Sequence, residues 1–185
     1  MGMIATDNRS QLRIVLYPDP ILQTLCQRVT EFDERLAAVA ARMLELMREA
    51  HGVGLAAPQV GLPMRMFVCN PSGQPGEDVV CVNPELSDFE GAAEAPEGCL
   101  SIPGAEVSIR RALRARIRFV DLVGQERELV GEGMTARVWQ HETDHLNGKL
   151  IIDSLSPADE IANRRVLKQL RAKYRPPRGK RTAKA

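Results

Sequence analysis

Several features are scarce or missing in this 185-residue chain, and each narrows what the protein can be. No apolar run approaches the roughly 20 residues of a membrane-spanning helix, and no signal-peptide pattern opens the sequence, so no membrane partner is expected. The first six residues formally fit an acylation motif, but an extra start residue explains so short a match as well. Cys26, Cys69, Cys81 and Cys99 show no paired spacing, which argues against a disulfide framework and for a reduced, cytoplasmic protein. Internal repeats are absent. Histidine is scarce: there are three, and two of them, His141 and His145, fall four residues apart.

The net charge of +1 hides an uneven distribution. Ten of the 25 Lys and Arg lie between Arg164 and Ala185 with no acid among them, leaving 15 basic against 24 acidic residues elsewhere. That pattern describes an acidic body with a basic arm. The length fits one domain with a proper core. Residues 1–11 are small and polar without periodicity and are expected to be disordered. A catalytic domain is expected over 12–163, and over 164–185 a basic helix end with a disordered tail from Arg178.

Along the body, Tyr17-Pro18-Asp19-Pro20 reads as a turn. A helix of about twenty residues follows, opened by Thr30 with Asp33 in a capping-box pattern and stopped at Gly52. Short strands are expected at 64–69, 79–82, 106–110 and 115–121, with turn signals at Asn83-Pro84 and Gly124. Arg114, Arg116 and Arg118 alternate with Ala115, Ile117 and Phe119, which reads as the solvent face of a half-buried strand rather than a nucleic-acid patch. A charged helix should run from about Ala158 to Tyr174. These elements predict an α+β fold, mostly antiparallel sheets around a central metal-binding helix, with a C-terminal helix.

That central helix carries Gln140-His141-Glu142-Thr143-Asp144-His145-Leu146-Asn147-Gly148, with Thr135 as expected N-cap and Gly148 as stop. Positions i and i+4 share one helix face, so two imidazoles there can bind one metal ion with Glu142 placed to take a proton from water. A catalytic site of this kind needs a third protein ligand. Ile151 stands where a third histidine would fall. Glu160 is a weak candidate, and Pro96-Glu97-Gly98-Cys99-Leu100-Ser101 offers a thiolate between turn residues. A thiolate with two imidazoles suits Zn²⁺, Fe²⁺, Co²⁺ or Ni²⁺. Trp139 lies about 100° round the helix from Val138 and is expected in the core. Asp144 is expected to point away from the site.

Three blocks in order, Gly52-Val53-Gly54-Leu55-Ala56-Ala57-Pro58-Gln59, Glu97-Gly98-Cys99-Leu100-Ser101 and Gln140-His141-Glu142-Thr143-Asp144-His145-Leu146, make the chain resemble the peptide deformylases from about Val15 to Leu155. The resemblance implies a metal-dependent hydrolase that removes the formyl group from the formyl-methionine of newly synthesised polypeptides. It implies Cys99, His141 and His145 as ligands of one divalent ion, Fe²⁺ by family expectation. It also implies Gln59 and the Leu100 backbone N–H as oxyanion donors, and Arg110 or Arg111 facing Glu97. An extended peptide is expected to pair with Val53, Gly54 and Gly98 as an added strand. Its methionine side chain is expected in an apolar pocket with Val138 as a wall. A zincin-type endopeptidase would leave Cys99 idle, and a structural zinc module would lack a fourth ligand and a task for Glu142. The basic segment fits either a solvated terminus or docking to the ribosome, where RNA phosphates concentrate negative charge.

Overall fold

The computed structural model describes residues 12–176. The expectations of disorder for residues 1–11 and from Arg178 onward lie outside them. Helix α1, Glu34–Glu49, starts at Asp33, whose carboxylate accepts from the Arg35 and Leu36 N–H groups. Asp33 is therefore itself the N-cap, not the partner of Thr30, and the helix ends at Ala50, two residues before Gly52. Its apolar face, Leu36, Val39, Ala40, Met43, Leu46 and Met47, is buried against Leu55, Val68 and Val82.

The strands form two antiparallel sheets. β1 (Gly54–Ala56), β2 (Met66–Cys69), β3 (Val79–Glu90), β6 (Arg114–Val120) and β7 (Glu126–Glu132) pair in the order β1-β2-β3-β6-β7. β4 (Ala93–Gly98) and β5 (Glu106–Arg111) make a separate pair. The turn expected at Asn83-Pro84 is not one. β3 runs through it with a register shift between Val82 and Glu85, and Asn83 adopts φ +51. The Asn83 side chain there accepts from the Val29 N–H and donates to the Val29 carbonyl, both at 2.8 Å, so a side chain completes what a strand neighbour would otherwise supply. On β6 the alternation holds: Ala115, Ile117 and Phe119 are buried, and Arg114, Arg116 and Arg118 are matched outside by Glu90, Asp88 and Glu128.

Helix α2, Met134–Leu146, lies against the five-stranded sheet, with Val138, Trp139 and Leu146 buried beside Phe67, Ile117 and Phe119. It begins one residue before Thr135, from Gly133 at φ +55, which no side chain caps. It ends at Asn147, with Gly148 in the left-handed conformation. Helix α3, Pro157–Lys173, is capped by Ser156 and packs on the small sheet through Leu167 and Asn163. Asn163 accepts from the Glu106 N–H at 3.0 Å and donates to the Glu106 carbonyl at 2.7 Å, closing that edge of β5. No helix among the described residues is long and apolar enough to cross a membrane.

Candidate metal centre and active site

Residues i and i+4 of α2 bring His141 and His145 together, ring centroids 4.9 Å apart and nearly edge-on. β4 ends at Gly98 and delivers Cys99 beside them: its Sγ lies 3.3 Å from His145 Nε2. One ligand atom from each of the three lies within 4.8 Å of the others. His141 Nδ1 is turned to Glu97 Oε2 at 3.0 Å, which leaves Nε2 for the shared space. Glu160 is exposed on α3, and Ile151 is buried in the cluster under α3, so neither joins the group.

The donor set fits a divalent ion of the zinc or iron type: two imidazole nitrogens and one sulfur, with a fourth position left open. The charges fit as well. Burial and the charges of His141 and Arg111 push His145 well below its ordinary range, so it is neutral with a lone pair to give. Burial would lower His141 too, but hydrogen bonds to Cys99 and Glu97 and the Glu142 charge carry it up to about 10. A metal ion at Nε2 would replace that proton.

Glu142 stands beside the cluster, 4 % exposed, with Oε2 buried and without a hydrogen-bond partner. Gly54 makes its space: a Cβ there would lie 2.3 Å from Glu142 Oε1. Gln59 is held from two sides. Its Oε1 accepts from the Ala56 N–H at 2.8 Å, while Nε2 points to Ser101 Oγ at 3.2 Å and Cys99 Sγ at 3.5 Å. The amide orientation therefore aims the NH₂ at the metal cluster. Gly54, Gln59, Cys99, His141 and Glu142 open on one cavity of about 430 Å³, bordered also by Val53, Gly98, Leu100, Met134, Arg137 and Val138.

Known proteins with this arrangement decide the family. The polypeptide deformylase model matches residues 11–160. The chain belongs to the polypeptide deformylase family. It is 45 % identical over 156 residues to a peptide deformylase of Thermotoga petrophila, covering 84 % of this chain and 93 % of that protein. The peptide deformylase structure from Legionella pneumophila is 41 % identical with a TM-score of 0.81, covering 89 % of this chain and 99 % of the other. That from Plasmodium falciparum is 36 % identical with a TM-score of 0.83, covering 88 % and 96 %.

In this deformylase-family chain the cleft between the sheets has two open strand edges. Asn163 occupies the Glu106 N–H and carbonyl, so these point away from β4; Gly98, opposite Glu106, must point its own groups away from β5. The same parity acts on β1. The Val53 carbonyl accepts from the Asn70 N–H at 2.9 Å, so Gly54 faces the other way, into the cleft. The Val53 carbonyl is thus taken by the Asn70 N–H, and half-exposed Val53 borders the cavity. Val138 lines the cavity from α2, and Trp139 is in the core.

Several residues of the site went unassigned in the sequence. Glu97 is only 6 % exposed and takes Arg111 on both oxygens at 3.0 Å and Arg137 on Oε1 at 2.6 Å, besides His141. Arg111, rather than Arg110, is thus the arginine facing Glu97. Arg111 also reaches Asp144, which overturns the expectation that Asp144 points away. At three residues past His141 it sits about 60° to the Glu97 side of that imidazole, which helical spacing alone would have indicated. Arg137, one turn before His141, was signalled in the same way.

Proposed function

We propose that Cys99, His141 and His145 hold one divalent ion, Fe²⁺ by expectation, with Zn²⁺, Ni²⁺ or Co²⁺ served by the same donors, and that Glu142 moves the protons of the reaction. The activity is that of the family: a metal-dependent hydrolase removing the N-terminal formyl group from newly synthesised polypeptides. The observation that carries the residue roles is three ligand atoms within 4.8 Å of one another with the buried, unpartnered Glu142 carboxylate on the same helix. A divalent ion so held supplies Lewis-acid chemistry, activating water and polarising a carbonyl.

The Glu142 carboxylate takes a proton from water. The water oxygen then bonds to the formyl carbon while the C=O electron pair moves onto the formyl oxygen. The Gln59 amide and the Leu100 N–H, which no described residue engages, donate to that oxygen. Glu142 passes its proton to the amide nitrogen, the oxyanion pair returns to form C=O as the C–N bond breaks, and formic acid leaves, its proton passing to the freed amine to give formate and ammonium. Burial raises Glu142 to about 7, with the Glu97 charge adding to this and His141 and Arg111 opposing it, so near neutral pH it can both accept and return a proton. An extended formyl-methionyl chain lies between Gly54 and Gly98, its first side chain in the cavity against Val138. The test is formate release from a formyl-Met tripeptide: Glu142→Ala should keep its metal and lose nearly all turnover. Near-normal turnover in that variant would remove Glu142 from the role.

The basic segment supports docking to the ribosome, and with it a cytoplasmic location. α3 exposes Arg164, Arg165, Lys168 and Lys173 while Asn163 and Leu167 are buried beneath. The boundary at 163/164 falls inside this helix, so truncation there would strip Leu167 from the core. Reversal of Arg164, Arg165 and Lys168 to Glu is the cleaner probe: ribosome co-sedimentation should fall, most clearly at low salt, with tripeptide hydrolysis intact. Equal co-sedimentation across a salt series would leave the solvated-terminus reading.

A further inference from the structure

The pocket for the first side chain was expected to be apolar, yet Arg137 is in its wall. It projects from α2 one turn before His141 and borders the cavity beside Met134 and Val138, with a side chain only 13 % exposed. Of the five guanidinium N–H donors, three are engaged: Nη1 with Glu97 Oε1 at 2.6 Å and the Ile109 carbonyl at 3.1 Å, Nη2 with the Ala93 carbonyl at 2.8 Å. The Nε–H and the second Nη2–H have no acceptor among the described residues, and Nε is not sealed from solvent. Glu97 and Asp144 offset the charges of Arg137 and Arg111 between them; what the wall adds is a pair of open donors. An aliphatic side chain seated there strips water from those donors and returns nothing. A thioether returns a weak acceptor, and a sulfoxide returns a strong one.

Building on the formyl-methionine reading above, we propose that Arg137 recognises the sulfur end of the first residue and admits formyl-methionine sulfoxide as a substrate alongside formyl-methionine. The bond broken is the same formyl amide; only the side chain differs. Nascent chains whose first residue has been oxidised would then still be deformylated, where a wholly apolar pocket would turn the sulfoxide away.

The test measures kcat/KM of the metal-loaded, full-length enzyme on tripeptides beginning with formyl-Met, formyl-Met sulfoxide and formyl-norleucine. In Arg137→Leu the sulfoxide-to-norleucine ratio should fall about tenfold or more. Loosening of Glu97 in that variant slows all three substrates and cancels in the ratio. Arg111→Lys disturbs Glu97 from the side away from the cavity and should leave the ratio in place. Arg137→Lys, which keeps a cation for Glu97 but lacks the Nε–H, should lower it and serves if the Leu variant does not fold. An unchanged ratio in the Arg137 variants, or an equal change in Arg111→Lys, overturns the proposal. Wild-type enzyme inert towards formyl-Met would overturn the functional reading as well; normal formyl-Met hydrolysis with an unchanged ratio overturns this inference alone.

Discussion

Glu97 serves three side chains with two oxygens. Burial would raise its carboxyl, but the His141 and Arg111 hydrogen bonds outweigh that and hold it down at about 2. It stays ionised, and an ionised partner on Nδ1 fixes the His141 tautomer and makes its Nε2 a better ligand. Glu97→Gln should therefore lower metal affinity about 10–100-fold, read by competition with a chelator, while Glu142→Ala leaves that affinity in place. Gly54 gives a second prediction at this scale. A methyl group there would press on Glu142 Oε1, so Gly54→Ala should lower kcat strongly with metal content unchanged, as measured by formate release beside metal analysis. The pH profile gives a third. Glu142 accepts a proton, so activity requires its ionised form and falls as pH drops through its pKa. Burial and protein charges set that value at about 7, and a cation beside it favours the carboxylate, so the acid limb of kcat/KM should lie below 7. An acid limb that persists in Glu142→Gln would belong to another group.

Helix α2 was legible because its pattern is local: two histidines four apart, an apolar stripe, and a glycine stop. That stop is structural. Gly148 sits at φ +70 with the Gln23 carbonyl oxygen 2.7 Å from where a Cβ would be, and the Cys26 N–H donates to Leu146 next to it. Gly148→Ala should destabilise the fold by about 1–3 kcal/mol, seen as a lower denaturation midpoint at unchanged m-value. What the sequence hid was non-local. Asn83-Pro84 has the composition of a turn, and only the distant Val29 backbone, bonded by the Asn83 side chain, lets β3 continue through it. The separation of β4–β5 from the main sheet depends on register, which alternation alone does not specify. Glu97 was quoted in its motif without its full set of partners, because Arg111 comes from a strand and Arg137 and His141 from successive turns of α2, all distant in sequence.

Across the whole molecule the four thiols divide into two kinds. Cys26, Cys69 and Cys81 are buried; burial pushes Cys26 up to about 11 against the charge of Arg65, and Cys81 well above the usual thiol range. Cys99 alone borders the cavity. Folded, metal-loaded enzyme should resist alkylation at all four. Removal of the metal by a chelator should expose Cys99 only, which peptide mapping after labelling would locate; early labelling of Cys81 would mean that the sheet opens. The cleft between Gly54 and Gly98 has a further consequence, and it concerns time. Two strand edges facing each other admit a backbone only while it is stretched out. A new polypeptide satisfies that condition briefly, before its first residues coil into a helix or join a sheet of their own. On the binding mode proposed for Gly54 and Gly98, the enzyme works against a deadline set by its substrate's folding, and proteins whose amino termini fold fastest are those most prone to keep the formyl group.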